Sequence, residues 1–121
     1  MNGHTFLKLD HVQIAIPPGG EDQGRAFYGQ VLGMDEITKP DQLRASGGVW
    51  FRAGGCEIHL GTQADFVPAT KAHPGVQVSQ IDALAEALES ADYSVSWDER
   101  IPGRKRFFVY DPFGNRLEFL G

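Results

Sequence analysis

The sequence predicts an α+β domain built from two copies of one unit, each a strand, a helix and then three strands. Three observations predict it. Two histidine-led segments, His11-Val-Gln-Ile-Ala-Ile16 and His73-Pro-Gly-Val-Gln-Val78, recur at an offset of 62. Each is followed by a helix-period pattern that ends near a glycine or a small residue. Each half then closes on matching hairpin segments, residues 49–60 and 108–119, at an offset of 59. Self-similarity of this kind marks a duplicated supersecondary unit.

The elements follow in order. In the first strand Val12, Ile14 and Ile16 alternate with His11, Gln13 and Ala15, so apolar and polar residues occupy opposite faces. Pro17-Pro-Gly-Gly20 is a loop, and it absorbs the three residues by which the two offsets differ. Residues 23–32 are expected to be helical, with Phe27 over Val31 and Tyr28 over Leu32, and Gly33 closes the helix. Residues 34–38, 43–52 and 56–61 supply three strands. A polar linker, 62–72, separates module 1 (about 5–61) from module 2 (about 73–121) within a single domain spanning 1–121. In module 2, Ser79-Gln-Ile-Asp82 reads as a capping-box-like start, and Ile81, Leu84, Ala85 and Leu88 form one helix face. Strands are expected over 93–98, 104–110 and 116–120, the last two joined by the tight turn Asp111-Pro-Phe-Gly114.

Composition narrows the function. The 121 residues are 41% hydrophobic and 22% charged, as a packed domain requires. Sixteen acids against eleven bases give a net charge of −5. That balance argues against a nucleic-acid surface, which needs clustered positive charge. No run is long and apolar enough for a membrane span or a signal peptide. Cys56 is the one cysteine and reads as a small buried residue, with no partner for an internal disulfide. A cytoplasmic setting is expected.

Alternation also places four polar side chains. Val12, Ile14 and Ile16 turn toward the helix layer, so His11 faces away from it. The same logic turns His73, His59 and Glu118 to the helix-free side. Alternation does not say whether they converge. His4 precedes the first strand and is expected to be a bystander.

Leu9-Asp-His-Val-Gln-Ile14, Ala26-Phe-Tyr28 with Leu32-Gly-Met34, His73-Pro-Gly-Val-Gln-Val78 and Asp111-Pro-Phe-Gly-Asn-Arg-Leu-Glu-Phe119 occur in an order that resembles the vicinal oxygen chelate superfamily of glyoxalase, bleomycin-resistance and dioxygenase proteins. The resemblance spans nearly the whole chain. It implies two βαβββ modules forming a curved, barrel-like mixed sheet with helices outside and a pocket within. It implies a divalent metal there, with His11, His59, His73 and Glu118 as ligands. His59 stands where glyoxalase-like members more often carry glutamate, and Pro74 follows His73. Three imidazoles and a carboxylate suit Zn, Ni, Co, Mn or Fe, and a two-histidine, one-carboxylate subset would suit Fe(II). Glu118 is also the candidate for proton transfer.

Around that centre, Arg106, Phe108 and Tyr110 share one strand face, with Arg106 a candidate for a substrate carboxylate or phosphonate. Gln13 is a candidate for hydrogen bonding to a ligand. Phe51 is expected to reach the cavity and Trp50 the core. The activity implied is that of a metal-dependent lyase or isomerase on a small substrate with adjacent oxygens, working by Lewis-acid polarisation and proton transfer. The alternatives are a metal-free drug-binding protein of the bleomycin-resistance type and an Fe(II) ring-cleaving dioxygenase. A homodimer is expected, since paired modules of this family often complete each other's pockets.

Overall fold

The computed structural model describes residues 3–121. Two four-stranded mixed sheets carry the chain. The first contains β1 (Val12–Ile16), β2 (Asp35–Ile37), β3 (Val49–Ala53) and β4 (Cys56–Thr62), in the order β1-β4-β3-β2. The second contains β5 (Gly75–Gln77), β6 (Ser96–Trp97), β7 (Arg106–Tyr110) and β8 (Arg116–Leu120), in the order β5-β8-β7-β6. In each, the first strand pairs parallel to the fourth, and the remaining pairs are antiparallel. The duplication is therefore exact in topology. The sheets do not close into a barrel: each keeps its own two edges, and β1 and β5 are edge strands.

Local structure departs from the expectations at three places. The first helix is a short α1 (Glu21–Gly24) that continues as π-helical turns over Arg25–Val31. Its end is closed by Leu32 N–H donating to the Phe27 carbonyl, five residues back. The wider turns bury both Phe27 and Tyr28, although they are adjacent in sequence. The expected long strand over 43–52 begins only at Val49. Asp41–Ser46 instead forms a 3₁₀ turn, and Gly47 and Gly48, both at positive φ, redirect the chain into β3. The second helix, α2 (Ile81–Ser90), has no capping box. Gln80 sits in the left-handed region, and no side chain caps the helix start.

The core lies between the helices and the sheets. Ile14, Ile16, Phe51, Ile58 and Leu60 fill it from the first module, and Ala85, Leu88, Phe107, Val109, Leu117 and Phe119 from the second. Backbone contacts are as tight as the side-chain packing. A Cβ on Gly48 would lie 2.1 Å from the Leu60 carbonyl oxygen, at a φ of +87° that only glycine adopts freely. Gly48→Ala should therefore destabilise by more than ~2 kcal/mol. A urea titration showing an unchanged midpoint would contradict this.

One seam between the modules is polar. Tyr28 donates its hydroxyl to Asp111 at 2.7 Å. Asn115 donates its side-chain amide to the Ala15 carbonyl at 2.9 Å and accepts the Ala69 N–H at 2.9 Å. The turn between β7 and β8 is thus fastened to the first module.

Candidate functional site

The strand registers decide which side chains share the helix-free faces. In the first sheet, His59 of β4 lies opposite Gln13 of β1 and Trp50 of β3. In the second, Glu118 of β8 lies opposite Gly75 of β5 and Phe108 of β7. Directly opposed residues present their side chains to the same face. His11 stands two residues before Gln13, and His73 two before Gly75. The four candidate ligands thus occupy equivalent places, one histidine and one partner per module.

The two pairs are built differently. In the first module His59 is the middle ring of a three-ring stack. Trp50 lies 3.7 Å from it on one face and His11 4.1 Å on the other, with interplanar angles of 4° and 17°. Stacked imidazoles aim their nitrogens along nearly parallel planes, not at a common centre. His59 Nε2 is engaged by Glu57 at 2.6 Å, and Arg52 holds the same carboxylate at 2.9 Å. The His59 and Arg52 hydrogen bonds pull the Glu57 carboxyl below its ordinary range. His11 uses its other nitrogen. Its Nδ1 meets the Asp10 carboxylate at 2.9 Å, and Nε2 has no partner among the described residues.

In the second module His73 and Glu118 bond directly, Nε2 to Oε1, at 2.9 Å. His73 Nδ1 lies 2.9 Å from the Lys71 carbonyl oxygen, which only accepts, so Nδ1 carries the proton. The second Glu118 oxygen accepts from Arg106 at 2.9 Å, and Arg106 reaches on to Asp98 at 3.1 Å. All three of these side chains are nearly buried. Burial opposes the Glu118 charge, but the Arg106 and His73 hydrogen bonds outweigh it and leave the carboxyl below its ordinary pKa. Asp98 is held well below the carboxylate range, chiefly by Arg100 and then by Arg106. Depressed carboxylates stabilise the fold above their unfolded pKa. That contribution drains away as pH falls through their folded values. Thermal stability should therefore be level near neutrality and fall below about pH 4. A stability curve still flat well below that pH would contradict these pairings.

The remaining expected residues fall as follows. Arg106 bonds Glu118 and Asp98 through its two terminal nitrogens, while its buried Nε has no partner among the described residues. Phe108 packs beside Glu118's strand with the Arg116 guanidinium 4.0 Å from its ring centre, and His73 meets its edge. Tyr110 is half exposed on the same face, opposite Arg116. Gln13 lies over Gly61, where a Cβ would come 2.6 Å from its amide nitrogen. Phe51 and Trp50 exchange their expected places. Phe51 is buried in the core with its ring stacked on Tyr28, and Trp50 stands on the histidine face. The reason is hairpin length. Only Gly54 and Gly55 separate the last pair of the first hairpin, Ala53 and Cys56. Pro112, Phe113 and Gly114 separate the corresponding Asp111 and Asn115. One added residue shifts the alignment of β3 on β7 by one and flips every side chain.

Five residues around the site were not anticipated. Asp10, Trp50, Glu57 and Asp98 each touch or orient a candidate ligand or its partner. Arg116 is on the Glu118 face with no carboxylate partner among the described residues. Among the described residues no group of three or more histidine, cysteine, aspartate or glutamate side chains is gathered to hold a metal within one chain.

Sequence and fold comparisons agree with this architecture. A model of the Glyoxalase/Bleomycin resistance protein/Dioxygenase superfamily matches residues 8–119. The chain belongs to that superfamily. A glyoxalase family protein from Bacillus anthracis is 45% identical, with a TM-score of 0.93 over 97% of this chain and 96% of that one. A fosfomycin resistance protein, FosX, from Listeria monocytogenes is 17% identical, with a TM-score of 0.76 over 96% of this chain and 93% of that one. A FosX mutant was solved with Mn(II) and 1S,2S-dihydroxypropylphosphonic acid; it is 17% identical, with a TM-score of 0.74 over 96% and 90% of the two chains. At that identity the likeness is one of fold. No match is found among curated proteins. No helix among the described residues is long and apolar enough to cross a membrane.

Proposed function

We propose that this protein is a divalent-metal enzyme of the glyoxalase type, a lyase or isomerase acting on a small substrate with adjacent oxygens. We further propose that His73 and Glu118 of one chain and His11 of a second copy hold the metal. The observation that carries the reading is the nitrogen each histidine offers. His11 and His73 both have Nδ1 tied to an oxygen, by Asp10 and by the Lys71 carbonyl; Nε2 of His11 has no partner among the described residues, and Nε2 of His73 meets only Glu118, the carboxylate of the same proposed site. An oxygen hydrogen-bonded to the far nitrogen is what fixes the orientation of a metal-binding imidazole. His59 has given Nε2 to Glu57, which makes it a wall of the pocket. His73 and Glu118 fit a cation chemically: an imidazole nitrogen and a carboxylate oxygen stand 2.9 Å apart, and both are donors that Mn, Zn or Fe accepts.

When bound, the metal would act as a Lewis acid on a substrate oxygen. The chain's own residues do the rest. Arg106 keeps Glu118 ionised and fixes one of its oxygens. Glu118 is the carboxylate placed to move a proton, and it does so by giving up one of its two present partners. Arg116, stacked on Phe108, offers a guanidinium to a substrate anion, whereas both terminal nitrogens of Arg106 are already held by Glu118 and Asp98. Phe108 and the Trp50–His59 pair supply flat apolar walls. The Mn(II) and diol phosphonate held by the FosX mutant are consistent with this chemistry on the same fold. The chain is expected to work in the cytoplasm.

The reading separates two histidines. Titration of the metal-stripped protein with Mn(II) or Zn(II) should show His59→Ala binding nearly as wild type and His11→Ala losing most of its affinity. Equal loss in both variants would return His59 to the ligand set. No binding by the wild type would leave a metal-free carrier.

A further inference from the structure

The two seams between the modules are related by the duplication, but only one is filled. On one side Asp111 and Asn115 fasten the β7–β8 turn to Tyr28 and Ala15. Their equivalents by register in the β3–β4 turn are Ala53 and Cys56, which offer no such bonds. Here the modules stand apart around a cleft of about 870 Å³. Its walls include Val31 and Leu32 at the end of the first helix, Ala53 and Cys56 of the turn, and Val76 and Leu84 of the second module. The walls are mostly apolar, and the open edges of β1 and β5 flank them.

The same chain carries a segment of matching character. Residues 3–11 precede β1 and join no strand. Phe6 is 93% exposed, Leu7 89% and Leu9 76%, the greatest exposures of any large apolar side chains described. Leu9 touches the rim of the cleft, but Phe6 and Leu7 stand outside it in solvent. An apolar arm beside an unfilled apolar cleft on one molecule is self-complementary. Two copies about a two-fold axis satisfy both at once.

We propose that residues 3–11 of each chain dock in the inter-module cleft of a second copy, with Phe6 and Leu7 entering between the β3–β4 turn and α2. The choice of a second copy as occupant rests on the two-chain reading above. The docking itself needs no metal. The arm ends at Asp10 and His11, so the exchange ties the third proposed ligand to the contact that joins the copies.

Cys56 makes the proposal testable, since it lies in the cleft wall and the chain has no other cysteine. The Phe6→Cys protein is oxidised under mild conditions with a chelator present and run on a non-reducing gel. A covalent dimer is expected, and it should vanish in Phe6→Cys/Cys56→Ser. An internally bridged monomer would show the arm folding into its own cleft, and absence of any bridge would show it docking elsewhere. Either result overturns the proposal. Sedimentation supplies a second reading, with Phe6→Ser/Leu7→Ser expected to weaken self-association at least tenfold and an unchanged dimer overturning the arm's role. The metal reading is separately decided. If subunits with complementary ligand defects still rebuild a metal site while no bridge forms, the two-chain site stands and the arm exchange falls.

Discussion

Glu118→Gln is expected to lower divalent-metal affinity by at least ~100-fold while the protein stays folded. Loss of a group that only hydrogen-bonds a ligand costs up to about that much, and Glu118 is proposed as a direct ligand. The amide keeps the shape of the side chain but removes the charge that faces His73 and Arg106. Arg106 keeps its bond to Asp98, so the guanidinium is not stranded. Calorimetric titration with Mn(II), together with a circular dichroism spectrum, separates the two effects. Unchanged affinity in a folded variant would remove Glu118 from the site. The neighbouring substitution Arg106→Gln is a milder case, because it frees one Glu118 oxygen without removing a ligand.

The largest stability effect is expected at the turn between β7 and β8. Asp111→Ala should cost on the order of 4 kcal/mol, close to the top of the range for single substitutions. The carboxylate is buried, and both of its oxygens are doubly used. One accepts the N–H groups of Phe113 and Asn115 at 2.9 and 2.8 Å. The other accepts the Tyr28 hydroxyl at 2.7 Å and the Asn115 side chain at 3.0 Å. Alanine leaves these donors without an acceptor in a place with little access for water. Tyr28→Phe removes one donor together with its claim on the acceptor and should cost much less, roughly 1–2 kcal/mol. Denaturant midpoints for the two variants check the ordering. Equal losses would mean that the network carries no more than the Tyr28 bond.

The duplicated architecture was legible because it rests on period-2 alternation and on glycines at equivalent turns. The facing of His59 and Glu118 came from the same alternation, since a strand flanked by Ile58 and Leu60, or by Leu117 and Phe119, has one orientation against a core. The exchange of Trp50 and Phe51 was not legible. It depends on one extra residue in the second hairpin, and a fixed offset carried across that turn hides it. Asp111 looked like an ordinary turn residue. Its burial became visible only once Tyr28, distant in sequence, was brought against it. The competition for Nε2 of His59 was in principle readable, because Glu57 and His59 share a strand face two residues apart. Arg106 looked available because Asp98, its second partner, lies across the β6–β7 connection. Alternation had no means to show that candidate ligands on one face fall into two separate pairs.

Subunit mixing most directly tests the proposed metal site shared between two chains. His11→Ala and Glu118→Ala chains, each unable to bind metal alone, are unfolded together, refolded and purified as the mixed dimer by two different tags. The mixed dimer is expected to regain one competent metal site, formed by His11 of one chain with His73 and Glu118 of the other. A mixed dimer that binds no more metal than either parent would contradict it.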